Sequence, residues 1–268
     1  MVKLDFIDSE SRESIDFELA ALRLAAERKL MINFPGVLTP TGEPRTYPNE
    51  ITREGFRGLE LNKIVTETVI PARHNAALPF TRLAVGHGDR TPLGYSRPGL
   101  TTWAHQLATV GQFVSQLQVI GEHPETLLRD PHTRPALDVL KAIPAVWDKT
   151  RVLEPSRIGE LSLIARRTGQ TWFLSALSGD HPVSLPALDL SFLGDREYRL
   201  WSLGHAPARS RLGFCRHLEP GLWQRFGRWP ALAVRDAHQH SRCFQPAGCR
   251  DPGQRHRDPP WEPGGTRL

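Results

Sequence analysis

The chain has 268 residues, 39% of them hydrophobic, with 34 Lys+Arg against 29 Asp+Glu and three cysteines. That is enough apolar material for a packed core. No apolar run approaches the roughly 20 residues that span a bilayer, and the first residues lack the charged, apolar, small-residue order of a secretory signal, so disorder, a membrane-spanning helix and a signal peptide are excluded as expectations. Charge is uneven: residues 201–268 hold 11 Arg, no Lys and 5 acidic residues, leaving 23 basic against 24 acidic residues in the first 200, so the body offers no basic face for nucleic acid.

In chain order, Val2 to Ile7 reads as a short strand of β-branched and aromatic residues. Ser11 to Lys29 places Ile15, Leu19, Leu22 and Ala26 on one helical face, which predicts an amphipathic helix buried along that stripe. Leu30 to Phe34 is the next strand, followed by a long loop stiffened by Pro40, Gly42, Pro44 and Pro48. Asn49 to Lys63 reads as a short helix behind an Asn cap, and Val65 to Ile70 as a strand or extended connection. Thr101 to Ile120 aligns Trp103, Leu107, Val110, Val114 and Leu117 and predicts a long helix. Strand, helix and strand in this order imply a parallel sheet.

From about Arg151 the pattern changes to short β runs at Glu160 to Arg166, Gln170 to Leu177, Val183 to Leu185 and Tyr198 to Trp201, an antiparallel module. The boundary is expected within Pro144 to Thr150. Beyond Trp201 there is no helical or strand periodicity, and an irregular tail rich in Arg, Pro, Gly and His is expected. Its Cys215, Cys243 and Cys249 lack the paired spacing of a structural zinc site.

Acidic residues single out one end of the parallel sheet. Side chains alternate along a strand, so Lys3 and Asp5 share a face. On a parallel strand covered on both sides, a polar residue near the C-terminal end needs a pocket to look into, whereas in an antiparallel sheet it would only be solvated. Glu54 and Glu60 lie beyond the constrained loop. Carboxylates six apart are ordinarily solvated, but a loop so long and stiff points to a built site. Arg45, Asn49, His74 and Asp89 lie in or near the same loops and are candidate substrate contacts.

Five ordered motifs carry a family resemblance. They are Val2-Lys3-Leu4-Asp5-Phe6; the loop with Pro40-Thr41-Gly42 and Arg45-Thr46-Tyr47-Pro48-Asn49; Thr52-Arg53-Glu54 with Arg57-Gly58-Leu59-Glu60; Leu78-Pro79-Phe80-Thr81-Arg82; and Ala104-His105-Gln106-Leu107-Ala108. Over about residues 1 to 200 the chain resembles glycoside hydrolase family 97, alpha-glycosidases with a (β/α)8 catalytic barrel between two β domains. The resemblance implies an α/β fold: the C-terminal half of a (β/α)8 TIM barrel in residues 1–150, an incomplete antiparallel β domain in 151–201 and an aberrant or disordered tail in 202–268. Gly36 together with Asp5 is similar to the retaining, alpha-galactosidase-like branch of the family. Asp5 is then the implied nucleophile and Glu60 the general acid/base, with Lys3 beside Asp5. Glu54 and Glu60 are similar to family carboxylates that contact calcium. Retention needs one carboxylate to attack and one acid to protonate the leaving oxygen, with the two about 5 to 5.5 Å apart.

The pattern departs from the family at Pro35, where the family carries His, at Arg90 within Asp89-Arg90-Thr91-Pro92, where it carries Tyr, and at Trp103, where Arg is common. Such departures, with half a barrel, imply impaired turnover. The expected partner is an oligosaccharide or alpha-glycoside; kinship implies a periplasmic or extracellular site of action. The alternatives are a non-catalytic carbohydrate-binding relic or truncated gene product, and, from a different class, a tail-driven nucleic-acid binder.

Overall fold

The computed structural model describes residues 1–64, 69–181, 183, 188–194, 198–203, 217–218 and 231–236. Three parallel strands open the chain, β1 (Val2–Lys3), β2 (Ile32–Phe34) and β3 (Glu50–Arg53), side by side in that order. The strand expected over Val2 to Ile7 is thus short. Its pairing continues more loosely, Leu4 N–H donating to Asn33 O and Ile7 N–H to Gly36 O, because Phe6 adopts a φ of +61° that breaks the pleat.

Between the first two strands runs α1 (Arg12–Glu27), capped by the Ser11 hydroxyl, which accepts from Ser14 N–H. Its buried residues are Glu18, Leu22 and Ala25, not the whole expected stripe: Ile15 is 42% exposed, and Ala26 is exposed too. A charged side chain turned the helix. Glu18 reaches Arg53 of β3 at 2.9 Å, and Arg53 is also held by Glu50 at 2.8 Å and lies over the Phe34 ring at 4.8 Å. A buried cation of this kind must be paired, so α1 presents the carboxylate and leaves Ile15 to solvent.

The same network explains the largest correction to the sequence reading. Asn49 to Lys63 is not one helix: Glu50–Arg53 is a strand parallel to β2, and only α3 (Leu61–Ile64) is helical. Strand β3 looks polar, yet Glu50, Thr52 and Arg53 are all buried, since its two charges neutralise each other inside the protein. Asn49 is not a helix cap; its amide donates to Leu22 O at 2.9 Å, tying the end of α1 to the entry of β3. A short helix, α2 (Glu43–Thr46), sits in the loop before β3. Of the extended connection expected over Val65 to Ile70, residues 65–68 lie outside the described residues, and Val69 and Ile70 belong to neither a helix nor a strand.

Next come α4 (Ala72–Ala77) and α5 (Trp103–Gln112). Helix α5 starts at the Thr102 cap, whose hydroxyl accepts from His105 N–H, and ends well before Ile120. The Gln118 amide folds back on the Val110 carbonyl at 3.1 Å, satisfying a terminal acceptor that a further turn would have used. Helices α6 (Pro124–Arg129) and α7 (Arg134–Ala142) lead to a six-stranded antiparallel sheet.

Its strands are β4 (Lys149–Val152), β5 (Leu161–Thr168), β6 (Thr171–Ser178), β7 (Tyr198–Leu203), β8 (His217–Leu218) and β9 (Ala231–Asp236), in the order β4-β5-β6-β9-β7-β8. Two of these strands come from the tail that was expected to be irregular: β9 inserts between β6 and β7. Of the run expected over Val183 to Leu185, Val183 lies outside any strand and 184–185 lie outside the described residues, as do Cys215, Cys243 and Cys249. One apolar core joins the halves, with Leu107, Ala108 and Phe113 packed with Leu177 and Leu203. No helix among the described residues is long and apolar enough to cross a membrane.

Candidate active site

Parallel strands end on the same side, so the segments leaving their C-terminal ends gather at one rim. Asp5 lies two residues beyond β1, Gly36 two beyond β2, and Glu54 immediately beyond β3. The backbone of Asp89 joins them by donating its N–H to Arg53 O at 3.1 Å.

Asp5 is exposed, and its Oδ1 accepts from the Phe6 N–H at 2.8 Å. It occupies the space a side chain at position 36 would need: a Cβ on Gly36 would overlap Asp5 Oδ1. A side chain at 36 would therefore push the Asp5 carboxylate out of the place it holds here. Asp89 is 3% exposed and accepts from Asn33 Nδ2 of β2 at 2.9 Å. Burial raises its proton affinity, the Asn33 bond and the Lys3 charge lower it, and Asp5 adds a smaller upward push.

Glu54 and Glu60 gather around Gly58. A Cβ there would lie 2.5 Å from Glu54 Oε1 and 3.5 Å from Glu60 Oε1, so a glycine at 58 lets both carboxylates approach. Desolvation first, then the charges of Glu60, Asp89 and Asp5, push the Glu54 pKa up to about 8, against a weaker downward effect of the Gly58 N–H. Glu54 thus holds a proton at neutral pH and feels Glu60 of its own loop and carboxylates from two others.

Near this acidic set lies Arg90, 3% exposed, its pKa pulled down to about 10 by burial against the upward effect of the Glu54 and Glu60 charges. Its Nη2 donates to Asn75 Oδ1 at 2.7 Å. Asn75 Nδ2 in turn lies 3.0 Å from His105 Nε2. Arg90 can only donate, so it takes the Asn75 oxygen; the Asn75 amide then donates to an unprotonated Nε2. Burial, with the Arg90 charge adding to it, pulls the His105 pKa down to about 4, which keeps that acceptor neutral. His74, on the same helix as Asn75, is also held below its usual range by burial and by Arg90. The backbone around this set is unusual: Phe6, Thr91 and Leu93 all have positive φ, at +61°, +50° and +68°. Non-glycine residues so placed cost about 1–3 kcal/mol each and cluster at functional sites.

Of the residues singled out in the sequence, the fold gathers Lys3, Asp5, Glu54, Glu60 and Asp89, with His74 behind Arg90. It does not gather Arg45 or Asn49. Arg45 is an exposed residue of α2, and Asn49 precedes β3, at the opposite end of that strand from Glu54, where its side chain is spent on the Leu22 and Leu30 carbonyls. Trp103 is structural here: its ring stacks on Tyr95 at 4.8 Å and its Nε1–H donates to Tyr95 O. Arg90, Asn75 and His105 were not assigned a role from sequence. The signal available was an arginine beside Asp89 in an otherwise acid-rich set.

Calcium takes hard oxygen donors. Glu54 and Glu60 fit it in kind, as hard oxygen donors in a place crowded with negative charge. They supply two carboxylates, at most four oxygens, where calcium takes about 6–8, and the described residues contain no group of three or more His, Cys, Asp or Glu arranged to hold a metal ion. The described residues alone do not make a calcium cage.

Comparison with known proteins identifies the pattern. Residues 1–56 match the family profile described as glycoside hydrolase 97, and residues 146–207 match that of the glycosyl-hydrolase 97 C-terminal, oligomerisation region. The chain is 31% identical over 209 residues to a retaining alpha-galactosidase of Bacteroides thetaiotaomicron, covering 73% of this chain and 31% of that protein. It is 36% identical over 176 residues to a probable retaining alpha-galactosidase of Streptomyces bingchenggensis, covering 65% and 26%. A glycoside hydrolase family 97 enzyme of Pseudoalteromonas sp. strain K8, solved with panose, superposes with a TM-score of 0.70 at 26% identity, over 85% of this chain and 38% of that one. A beta-arabinopyranosidase superposes with a TM-score of 0.69 at 25% identity, over 87% and 38%. The chain spans between about a quarter and a third of the length of these two relatives.

Proposed function

Because the chain belongs to glycoside hydrolase family 97, we propose that its rim of carboxylates acts on alpha-glycosides, alpha-galactosides first, by a retaining double displacement. The observation that supports this best is the convergence of Asp5, Glu54, Glu60 and Asp89 from three separate loops, which together with the burial that contributes most pushes the Glu54 pKa up to about 8. In this reading residues 1–150 are part of a (β/α)8 barrel, residues 151–201 begin a β domain and 202–268 extend from it. The site of action is periplasmic or extracellular by kinship.

The exposed Asp5 carboxylate attacks the anomeric carbon, the C–O bond to the leaving group breaks, and Glu60 delivers a proton to the departing oxygen. Water then attacks the glycosyl ester while Glu60 takes its proton, releasing sugar and free Asp5. Glu54, beside Glu60 across Gly58, holds a proton at neutral pH, so a proton donor stands next to the residue read as the acid. Lys3, two residues before Asp5, places a positive charge that is felt at Asp89. A bound calcium ion, with Glu54 and Glu60 among its ligands and the rest from outside the described residues, would supply electrostatic stabilisation at this rim. At Pro35 there is no N–H to orient a sugar hydroxyl, so turnover is expected to be slow.

The test is hydrolysis of an aryl alpha-galactoside by the purified chain and by Asp5→Gly. Removal of the nucleophile is expected to reduce turnover by about 10³-fold or more, and added azide to restore it while yielding the beta-configured glycosyl azide. Unchanged turnover in Asp5→Gly overturns the assignment. Sugar binding without hydrolysis in the unsubstituted chain would favour the carbohydrate-binding reading instead.

A further inference from the structure

We propose that the Phe6 ring is the apolar platform on which the pyranoside ring of the substrate lies beside Asp5, resting, for the identity of the ligand, on the function proposed above. Residues two apart on a strand share a face, so the sequence sends Phe6 inward with Leu4. The fold does otherwise. Leu4 and Ile7 both pack against the core of Leu22, Ile32 and Phe34, whereas Phe6 is 85% exposed, more than any other large apolar side chain among the described residues.

The cause is one backbone turn. Leu4 N–H donates to Asn33 O at 3.0 Å and Ile7 N–H to Gly36 O at 2.9 Å, so the chain is pinned on both sides of residues 5 and 6. Between these bonds Phe6 takes a φ of +61°, and the turn gives Ile7 the inward place that a regular pleat would have given Phe6. A bulky side chain suits that conformation badly, while glycine takes it without strain. A fold that needed only the turn has no use for a ring here, because an exposed ring adds nothing to the core. Strain held by hydrogen bonds on both flanks, at a side chain left to solvent, marks a residue kept for a ligand.

The same turn serves Asp5. Phe6 N–H donates to Asp5 Oδ1 at 2.8 Å, and Gly36 leaves room for both, since a Cβ there would overlap that oxygen and come 3.1 Å from the Phe6 nitrogen. Carboxylate and ring are thus adjacent, both exposed, and tied through one peptide group. One face of a pyranoside presents mainly C–H bonds. An aromatic ring beside the attacking carboxylate removes that face from water and leaves the sugar hydroxyls to polar partners.

The experiment compares the full chain with Phe6→Gly and Phe6→Trp by thermal unfolding, by calorimetric titration with methyl alpha-galactoside and by hydrolysis of an aryl alpha-galactoside. Phe6→Gly is expected to unfold no lower than the unsubstituted chain, because strain is relieved and no buried contact is lost. Its affinity for the sugar is expected to fall at least about fivefold, as one ring face is no longer covered. Phe6→Trp is expected to bind at least as tightly as the unsubstituted chain and to add a tryptophan emission that shifts to the blue as sugar saturates it, a signature that a purely structural residue would not give.

Undiminished affinity in Phe6→Gly overturns the proposal, as does the absence of the emission shift in Phe6→Trp. A Tm lowered by more than about 5 °C in Phe6→Gly overturns it too, because the ring would then belong to the fold. Hydrolysis with an affinity indifferent to residue 6 removes the platform and leaves the catalytic assignment. Binding that depends on Phe6 without hydrolysis removes the catalytic assignment and leaves the platform, and no sugar binding by the unsubstituted chain overturns both.

Discussion

His105 ties α5 to α4 through the Asn75 amide. It is 6% exposed and its pKa is pulled down to about 4 by burial and Arg90. An unfolded histidine titrates near 6.5, so between pH 6.5 and about 4 the unfolded chain binds the extra proton and folding is penalised as pH falls. The stability this group contributes is whole above pH 6.5 and is lost progressively on the way down to about 4, by at most about 3 kcal/mol. His105→Gln, whose amide can still accept from Asn75, is expected to flatten that part of the Tm-against-pH curve relative to the unsubstituted protein. A parallel curve for the variant over pH 4 to 6.5 would refute the buried, neutral role.

Among the elements, α1 and β3 show both what the sequence reveals and what it conceals. Apolar periodicity located α1, α5 and the long antiparallel strands β5 and β6, because there hydrophobic burial decides the conformation. It failed at β3, where Arg53 is buried on the strength of ion pairs to Glu50 and Glu18, and Thr52 on a hydroxyl bond to Ser115; nothing in local composition announces a partner 35 residues away. The same blindness hid Arg90, whose partners come from three other segments, and misread Asn49, which serves carbonyls of α1 and the following turn. Asp5, Glu54 and Asp89 were legible because parallel strands deliver their C-terminal ends to one rim. Glu18→Ala is expected to cost about 3–5 kcal/mol, the usual penalty for stranding a buried charge. Ile15→Ala, at a side chain 42% exposed, is expected to cost under about 1 kcal/mol. Denaturant unfolding of the two variants measures both, and equal costs would contradict the helix orientation.

At the scale of the molecule, α5 couples the site to the antiparallel sheet. His105 near its start belongs to the Arg90 relay, while Gln112 at its end is fully buried and donates to the Ser162 and Ser175 carbonyls at 3.0 and 2.9 Å and accepts from the Ser162 hydroxyl at 2.6 Å. The ten residues of this helix make about 15 Å of rigid rod. Gln112→Ala is expected to cost about 1–3 kcal/mol through the groups it leaves unsatisfied, and to weaken sugar binding although residue 112 is a helix-length from the rim. Calorimetric unfolding and sugar titration check the two effects separately; loss of stability with undiminished sugar affinity would mean that the sheet and the site are energetically independent.

Strand β1 occupies one edge of the parallel sheet. The Val2 and Leu4 amides are spent inward, on Met31 O and Asn33 O, so the alternate peptide groups between them point outward, with no strand beside them among the described residues. Such an idle ladder is a template on which an extended segment of any other polypeptide can be laid down, and Val2, 38% exposed, adds an adhesive apolar surface to it. The charges of Lys3 and Asp5 beside that ladder therefore serve colloidal restraint as well as chemistry: neutralising them both would invite intermolecular β-assembly at high concentration.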